Sequence, residues 1–195
     1  YPEKKLLSSE IVRIPYAEAM EKYGSDKPDI RFWLEMKDIT DIVKDTEFKV
    51  FRAPIEKWGI VKCIKVEKDL TKKDIESLTK LAISKWLWGL AYIIVHEDQL
   101  QSPIIKYLGE DVSVRIVEKA EAKPWDIIFF SASDPETTNK ALDQVRRELG
   151  KMLKLYDDDT LAFCWITDFP MFEKTEEGKR KFTHNPFSMP KIEHV

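Results

Sequence analysis

The chain has 195 residues, a formal net charge of −3, 43% hydrophobic residues and 34% charged residues. This composition is that of a folded protein with enough apolar mass for a core, and it excludes a disordered chain. The negative balance excludes a surface that is basic overall, which a freestanding nucleic-acid binder usually needs. Two short basic runs, Lys72-Lys73 and Lys179-Arg180-Lys181, are interpreted as solvated faces.

The cysteines and histidines do not form a metal-binding pattern. Cys63 and Cys164 are far apart, each in an apolar run, so we expect buried, inert thiols. There is no C-x-x-C and the three histidines are scattered, so neither a disulfide nor a metal site is predicted. No apolar run reaches transmembrane length and no signal peptide opens the chain, so we expect no membrane partner and a cytoplasmic location.

The first predicted helix covers Tyr16–Tyr23. Pro15 suits its first turn and Gly24 suits the position after its end. The next five residues form a turn-rich loop in which Pro28 blocks helix continuation. Residues 31–34 are predicted to be a short strand.

Two strands and a helix follow. Phe48–Phe51 and Ile60–Val66 are rich in aromatic or β-branched residues and are predicted strands. A helix starts at Thr71, with Asp74 three residues later in a capping-box arrangement, and ends at Gly89. Its apolar positions have helical spacing: Ile75, Leu78, Ala82 and Trp86.

The next segments alternate between strand and helix. Residues 90–95 are a continuous apolar run, typical of a strand buried on both faces, and residues 126–130 are predicted to be another buried strand. Residues 102–108 between them, with a proline near the start, are predicted to be a short helix.

The longest predicted helix is capped at Asp134. Its apolar face carries Leu142, Val145 and Leu149, and we expect Arg146 and Arg147 on the opposite, solvated face. Strands are predicted at residues 161–166 and 180–183.

These elements predict an α+β fold, a mixed sheet with packed helices, over residues 46–155. Residues 1–45 and 156–195 contain too few apolar residues for cores of their own and are predicted to be flanks that need further neighbours. Because the chain begins at Tyr1 and stops at Val195, we expect a piece of a longer protein.

No self-contained catalytic motif is present, and no catalytic residue is predicted. The six glycines form no phosphate-binding loop, and neither G-x-S-x-G nor H-E-x-x-H occurs. Three polar segments stand out at residues 23–32, 165–173 and 183–190. On spacing alone they are either turns whose polar side chains bond nearby backbone groups, or parts of a binding site.

These segments read Y-G-S-D-K-P-D-I-R-F, W-I-T-D-F-P-M-F-E and T-H-N-P-F-S-M-P. All three resemble signatures of bacterial-type aspartyl-tRNA synthetases, which are class II synthetases. Between them, residues 85–92, 102–108, 126–130 and 141–146 resemble further motifs of that family in the same order. Asn185 departs from the histidine common in the family, and Trp86 and Trp88 disturb another motif.

The resemblance implies that residues 46–155 are the GAD insertion domain and that both flanks belong to an antiparallel catalytic domain. It implies a ligase that activates aspartate with ATP and Mg²⁺ and transfers it to tRNA, and the longer protein is expected to be a homodimer. The arginine signatures of the family are absent, so we expect no activity, and no bound cofactor, from this segment alone.

The same resemblance assigns site residues. His184 matches the histidine that contacts bound aspartate, which is reasonable because an imidazole can donate to a carboxylate. The periphery of the active site is expected to include Ser25, Asp26, Lys27, Arg31 and Asn185. Asp168 and Pro170 are interpreted as turn residues. The alternative is a freestanding GAD-type module that binds tRNA or acts as a scaffold, related to tRNA-dependent amidotransferase subunits.

Overall fold

The computed structural model describes residues 3–67, 70–85, 87, 89–174 and 178–183. Its helices are α1 (Tyr16–Tyr23), α2 (Thr40–Val43), α3 (Lys49–Ile55), α4 (Lys72–Ser84), α5 (Ile105–Leu108), α6 (Glu110–Ala120) and α7 (Pro135–Met152). Its strands are β1 (Lys5–Leu6), β2 (Val12–Pro15), β3 (Met36–Asp38), β4 (Ile60–Val66), β5 (Ala91–Val95), β6 (Leu100–Gln101), β7 (Ile127–Ser133), β8 (Thr160–Leu161), β9 (Cys164–Thr167), β10 (Phe172–Lys174) and β11 (Arg180–Phe182).

A five-stranded sheet in the order β3-β4-β7-β5-β6 organises the molecule. The α+β class is confirmed, but all four pairings within this sheet are antiparallel, whereas a mixed sheet was expected. The reason is the position of β7. Strands β4 and β5 run in the same direction on either side of α4 in sequence, and β7 lies between them, antiparallel to both.

Both faces of this sheet are covered by helices. Along β4, Ile64 and Val66 point to the face that packs against α4 and α7, while Val61 and Cys63 point to the face that packs against α2, α3, α5 and α6. Strand residues alternate between faces, so apolar residues at neighbouring positions of β4 pack into both layers. We call the sheet together with α2–α7 the sheet unit.

Several helix ends follow the capping rules read from the sequence. Gly24 ends α1 in the left-handed conformation, with φ of 66°. The predicted capping box of α4 is confirmed, because Thr71 accepts from the Asp74 amide while Asp74 accepts from the Thr71 amide. The Asp134 side chain accepts from the Thr137 amide and caps α7.

Two predicted strands are wrong. Residues 31–34 have no strand, and the first strand of the sheet is β3 at residues 36–38. Residues 48–51 enter helix α3, where Phe51 is buried against Phe130 on the sheet. Local β propensity is a weak preference that such packing overrides. Helix α6 was not predicted.

Other predicted elements have shifted ends. Helix α4 stops at Ser84 rather than at Gly89, and the predicted strand over residues 161–166 is divided into β8 and β9. Helix α5 starts at Ile105, later than expected. Such shifts of boundaries are the usual error of single-sequence assignment.

Short pairings form from segments near both ends of the chain, and we call β1, β2 and β8–β11 the end strips. Parallel pairs join β1 to β8 and β2 to β9, and an antiparallel pair joins β10 to β11. Helix α1 packs on the β2–β9 pair through Ala19 and Tyr23, which contact Ile14. The opposite side is open, and Trp165 is 60% exposed.

The sheet unit begins before residue 46. Phe32, Leu34 and Met36 are buried in the cluster under α7, and Ile39 and Val43 are buried in the cluster on the other face. At the other end, Met152 and Tyr156 pack partly buried against the first cluster. The division at 46 and 155 stays a prediction, and the packed residues extend beyond it on the N-terminal side.

Candidate functional site

The segment after α1 contains most of the described residues that were predicted to belong to a site, and we call residues 24–34 the site loop. It starts with Gly24, whose left-handed φ favours glycine. A Cβ at this position would lie 2.5 Å from the backbone oxygen of Asn139 on α7. Glycine is therefore required both for the turn and for close contact with α7.

The loop is stiffened internally by an aspartate–arginine pair. Asp29 accepts from Arg31 at its backbone amide, at Nε (2.9 Å) and at Nη2 (2.7 Å). Burial alone would raise the pKa of the Asp29 carboxyl, but the bonds from Arg31 outweigh it and the pKa is lowered. The Arg31 guanidinium also lies 3.8 Å from the centroid of the Tyr156 ring. Arg31 is thus occupied by contacts within the protein.

Arg146 of α7 is the main external support of the loop. Its Nε donates to the Leu34 carbonyl (2.7 Å), and its Nη2 donates to the carbonyls of Asp29 (2.7 Å) and Phe32 (2.9 Å). The rings of Tyr23 and Phe32 lie 4.9 and 4.3 Å from its guanidinium carbon. Arg146 is 0% exposed, and this burial lowers the pKa of its guanidinium group.

Two more cations extend this contact. Arg147 donates from Nη2 to the Lys27 carbonyl (2.8 Å) and pairs with Asp143 at 2.8 Å. Burial raises the pKa of the Asp143 carboxyl despite this pairing. Lys62 on β4 donates to the Met20 carbonyl (3.0 Å) at the end of α1. It makes two further bonds, to the Glu21 carbonyl and to Asn139 Oδ1, and burial lowers its pKa.

Ser25 and Asp26 line an open cleft of ≈ 480 Å³ between α1, α7 and the C-terminal strip, by which we mean β9–β11 and the described residues beside them, including Phe169 and Thr183. Its other lining residues include Lys85 and Lys140, which supply cationic charge, and Thr183 at the end of the last described segment. The lining of the cleft combines carboxylates, ammonium groups and hydroxyls.

The predicted site residues have different positions. Ser25 and Asp26 line the cleft, and the Lys27 carbonyl bonds to Arg147. Arg31 faces another groove, of ≈ 440 Å³, which Phe32 and Leu153 also line. His184 and Asn185 lie outside the described residues, so their predicted roles stay predictions.

Arg146 is the functional candidate that the sequence analysis misjudged. It was expected on a solvated face, and it is buried. The signal was available, because Arg146 follows Leu142 by four positions and precedes Leu149 by three, which puts all three on one helix face. The pattern gave no reason to bury a cation, because the three loop carbonyls that accept its hydrogen bonds are distant in sequence.

Asp168 adopts a left-handed φ of 56° at the bend after β9, where the Thr167 hydroxyl donates to its carboxylate at 3.0 Å.

Among the described residues, no group of three or more His, Cys, Asp or Glu side chains is arranged to hold a metal ion. In the same part of the chain, no helix is long and apolar enough to cross a membrane.

The chain matches one family model and several curated proteins. Residues 51–142 match the family model of the GAD domain. The chain is 47% identical over 190 residues to an aspartate–tRNA(Asp/Asn) ligase of Hydrogenobaculum, covering 97% of this chain and 32% of that protein. It is 44% identical to the aspartate–tRNA(Asp/Asn) ligase of Aquifex aeolicus, with 98% and 33% covered, and 38% identical to an aspartate–tRNA ligase of Listeria monocytogenes, with 94% and 32% covered.

The match extends beyond the GAD domain into both flanks, and so it includes the site loop and the C-terminal strip. The chain spans about a third of the length of the curated relatives it matches. The chain therefore contains a GAD domain and matches a segment of aspartate–tRNA ligases along nearly its whole length.

Proposed function

We propose that this segment works within an aspartate–tRNA ligase, which activates aspartate with ATP and Mg²⁺ and then transfers the aspartyl group to tRNA. The observation that carries the proposal is the similarity to such ligases along 94–98% of the chain, flanks included. In this proposal the enzyme is a cytoplasmic homodimer. The segment supplies its GAD insertion domain and two strips of its catalytic domain.

The end strips support a role inside a larger protein. Val12, Phe163 and Trp165 are at least 44% exposed around the β2–β9 pair, and Phe172 and Phe182 are exposed on the β10–β11 pair. Apolar surface concentrated in this way marks a face that another part of a protein covers. The remaining two-thirds of the relatives' length contains enough protein to do so.

A freestanding GAD-type module that binds tRNA is the second candidate. A GAD module alone accounts for residues 51–142 but not for the matching flanks. The net charge of −3 also favours weak binding of RNA by the segment alone, because few phosphates are neutralised. A tight complex with tRNA at physiological salt would favour this second candidate.

The test is aspartate-dependent ATP–pyrophosphate exchange, with a full-length ligase that contains this segment beside the 195-residue chain. We expect exchange from the full-length protein and none from the chain, since the proposed chemistry needs charged groups that the chain lacks. Exchange by the chain alone at a rate above its heat-inactivated control contradicts the proposal, and so does a full-length protein that is inactive with aspartate.

A substitution of His184 tests the predicted aspartate contact. In the full-length ligase, His184→Ala removes one hydrogen bond to a charged group, which is worth about 1.5–3 kcal/mol, or roughly one to two decades in kcat/KM for aspartate. The KM for ATP should not change. His96→Ala is the matched control, since His96 bonds Gln101 on the sheet unit and belongs to no motif. Unchanged aspartate kinetics in His184→Ala would identify an ordinary loop histidine.

A further inference from the structure

The backbone of the site loop is held by cations that belong to the sheet unit. Arg146 and Arg147 on α7 donate to four carbonyls between residues 27 and 34, and Lys62 on β4 donates to two carbonyls at the end of α1. Every residue has a backbone carbonyl, so these hydrogen bonds do not depend on which side chains the loop carries. These bonds therefore fix the path of the loop backbone.

The Arg146 contact has little freedom to change. A cation that has left water needs good hydrogen bonds in one geometry, and Arg146 has three of them, with two aromatic rings near its guanidinium. Its Nη1 has no hydrogen-bond acceptor within the described residues. If Arg146 moved, the buried carbonyls of Phe32 and Leu34 would lose their partner, which costs more than a surface bond.

Two close contacts leave no space between the loop and α7. Gly24 lies against the backbone of Asn139, and Gly150 lies against the ring of Phe32, where a Cβ would be 2.7 Å from the nearest ring atom. These contacts are near opposite ends of both the loop and α7. Packed interiors transmit small displacements, so a shift of α7 has to move the loop as well.

Resting on the proposed function, we propose that Arg146 and Arg147 are positioning residues for the ligase reaction. They hold the loop that presents Ser25 and Asp26 to the cleft, so helix α7 sets how well aspartate is used through the geometry of this loop. The relevant partner is the backbone of residues 27–34 in the same chain. Neither arginine contacts a substrate in this proposal.

Arg147 is the better residue for the test, because its side chain is 40% exposed, whereas replacing the fully buried Arg146 risks unfolding. Replacing Arg147 also removes the partner of the buried Asp143 carboxylate, so exchange in β4 and β7 serves as the control for a general loss of stability. Arg147→Met removes the donor to the Lys27 carbonyl and keeps similar bulk. Arg147→Lys restores the charge and one donor. Arg115→Met is the matched control: the Arg115 side chain is exposed on α6 and makes no hydrogen bond or ion pair within the described part of the chain.

The first measurement is amide hydrogen exchange in the 195-residue chain. We expect Arg147→Met to speed exchange of residues 26–34 by about tenfold, equal to loss of roughly 1.4 kcal/mol of local protection. Exchange in β4 and β7 should stay unchanged. Arg147→Lys should recover most of the protection, and Arg115→Met should match the unsubstituted chain. Unchanged loop exchange, or equal acceleration in β4 and β7, overturns the inference.

The second measurement is the kinetics of pyrophosphate exchange in the full-length ligase. Arg147→Met should lower kcat/KM for aspartate by roughly tenfold and leave the KM for ATP unchanged, with partial recovery in Arg147→Lys. Aspartate kinetics at the unsubstituted level, together with a mobile loop, would overturn the inference. A full-length protein without aspartate-dependent exchange would instead refute the proposed function, while the hydrogen-exchange result still decides whether the arginines hold the loop.

Discussion

The sheet unit and the end strips use similar apolar residues in opposite ways. In the sheet unit, Phe129 and Ile128 are completely buried because helices cover both faces of β7. In the end strips, Trp165 and Phe182 are both 60% exposed although they lie in strands. A sequence that forms strands therefore does not by itself create a core. Only the sheet unit has enough elements to cover its own apolar surface.

The two cysteines show the same difference on a small scale. Cys63 lies on β4 and is buried under α3 and α6, and burial raises the pKa of its thiol to about 12. Cys164 begins β9 in an end strip and is only partly buried. Burial also raises the pKa of Cys164, although it is less complete than that of Cys63. Both were expected to be buried, and only Cys63 is.

The largest predicted effect is on stability. Phe129→Ala should destabilise the chain by about 3–5 kcal/mol, because the ring is lost from a cluster that includes Leu142 on α7. Trp165→Ala should change stability by less than about 0.5 kcal/mol, since its side chain is already largely solvated. Urea unfolding of both variants measures the difference. Equal losses would mean that the end strips contribute to the core as much as the sheet unit does.

The next prediction uses pH. An unfolded cysteine has a pKa near 8.5, and Cys63 in the folded chain has a pKa of about 12, so the folded state holds the proton more tightly. The resulting stability is fully present below pH ~8.5 and is lost as the pH rises towards 12, by up to about 1.4 kcal/mol per unit. Unfolding free energies at pH 8 and pH 10 measure this loss.

Two variants isolate the contribution of this thiol from those of other groups that titrate in alkali. Cys63→Ala should reduce the fall in stability between these two pH values. Cys164→Ala should retain most of the fall seen in the unsubstituted chain. If both variants behave alike, the buried position of Cys63 is not what links stability to alkaline pH.

The smallest effect concerns a single helix end in the sheet unit. Thr71→Ala removes the hydroxyl that accepts from the Asp74 amide and should cost about 1 kcal/mol. Thr79→Ala is the matched control in the same helix, because the Thr79 hydroxyl donates only to the Ile75 carbonyl within the turn. Thermal melts of the two variants should separate them. Identical melting temperatures would show that the capping box contributes nothing.

Short-range signals account for the features that the sequence predicted. The C-terminal end of α1 and the start of α4 depend on residues within four positions of each other, and Gly24, Thr71 and Asp74 identify them directly. The apolar residues at 90–95 and 126–130 likewise predict buried strands, and these are β5 and β7. No knowledge of distant contacts is needed for any of these.

The errors occur where distant residues decide the outcome. Residues 48–51 have strand-like composition. Phe48, just before helix α3, nevertheless packs on α5, and Phe51 within α3 packs on the sheet. Arg146 is buried because carbonyls more than a hundred positions away accept its bonds. Within the candidate site, the sequence identified Ser25 and Asp26 but not the residues that hold their loop, since nothing local connects α7 to that loop.

The parallel pairing of β2 with β9 also bears on how such a chain changes during evolution. The register runs from Val12↔Cys164 to Pro15↔Thr167. Residues 16–163 connect the end of β2 to the start of β9. Parallel neighbours need a crossover of a dozen or more residues, and here that crossover contains the whole sheet unit. Because the spacing of two paired strands, about 4.8 Å, is independent of the length between them, lineages can lengthen or shorten this insertion without disturbing the strands that it joins.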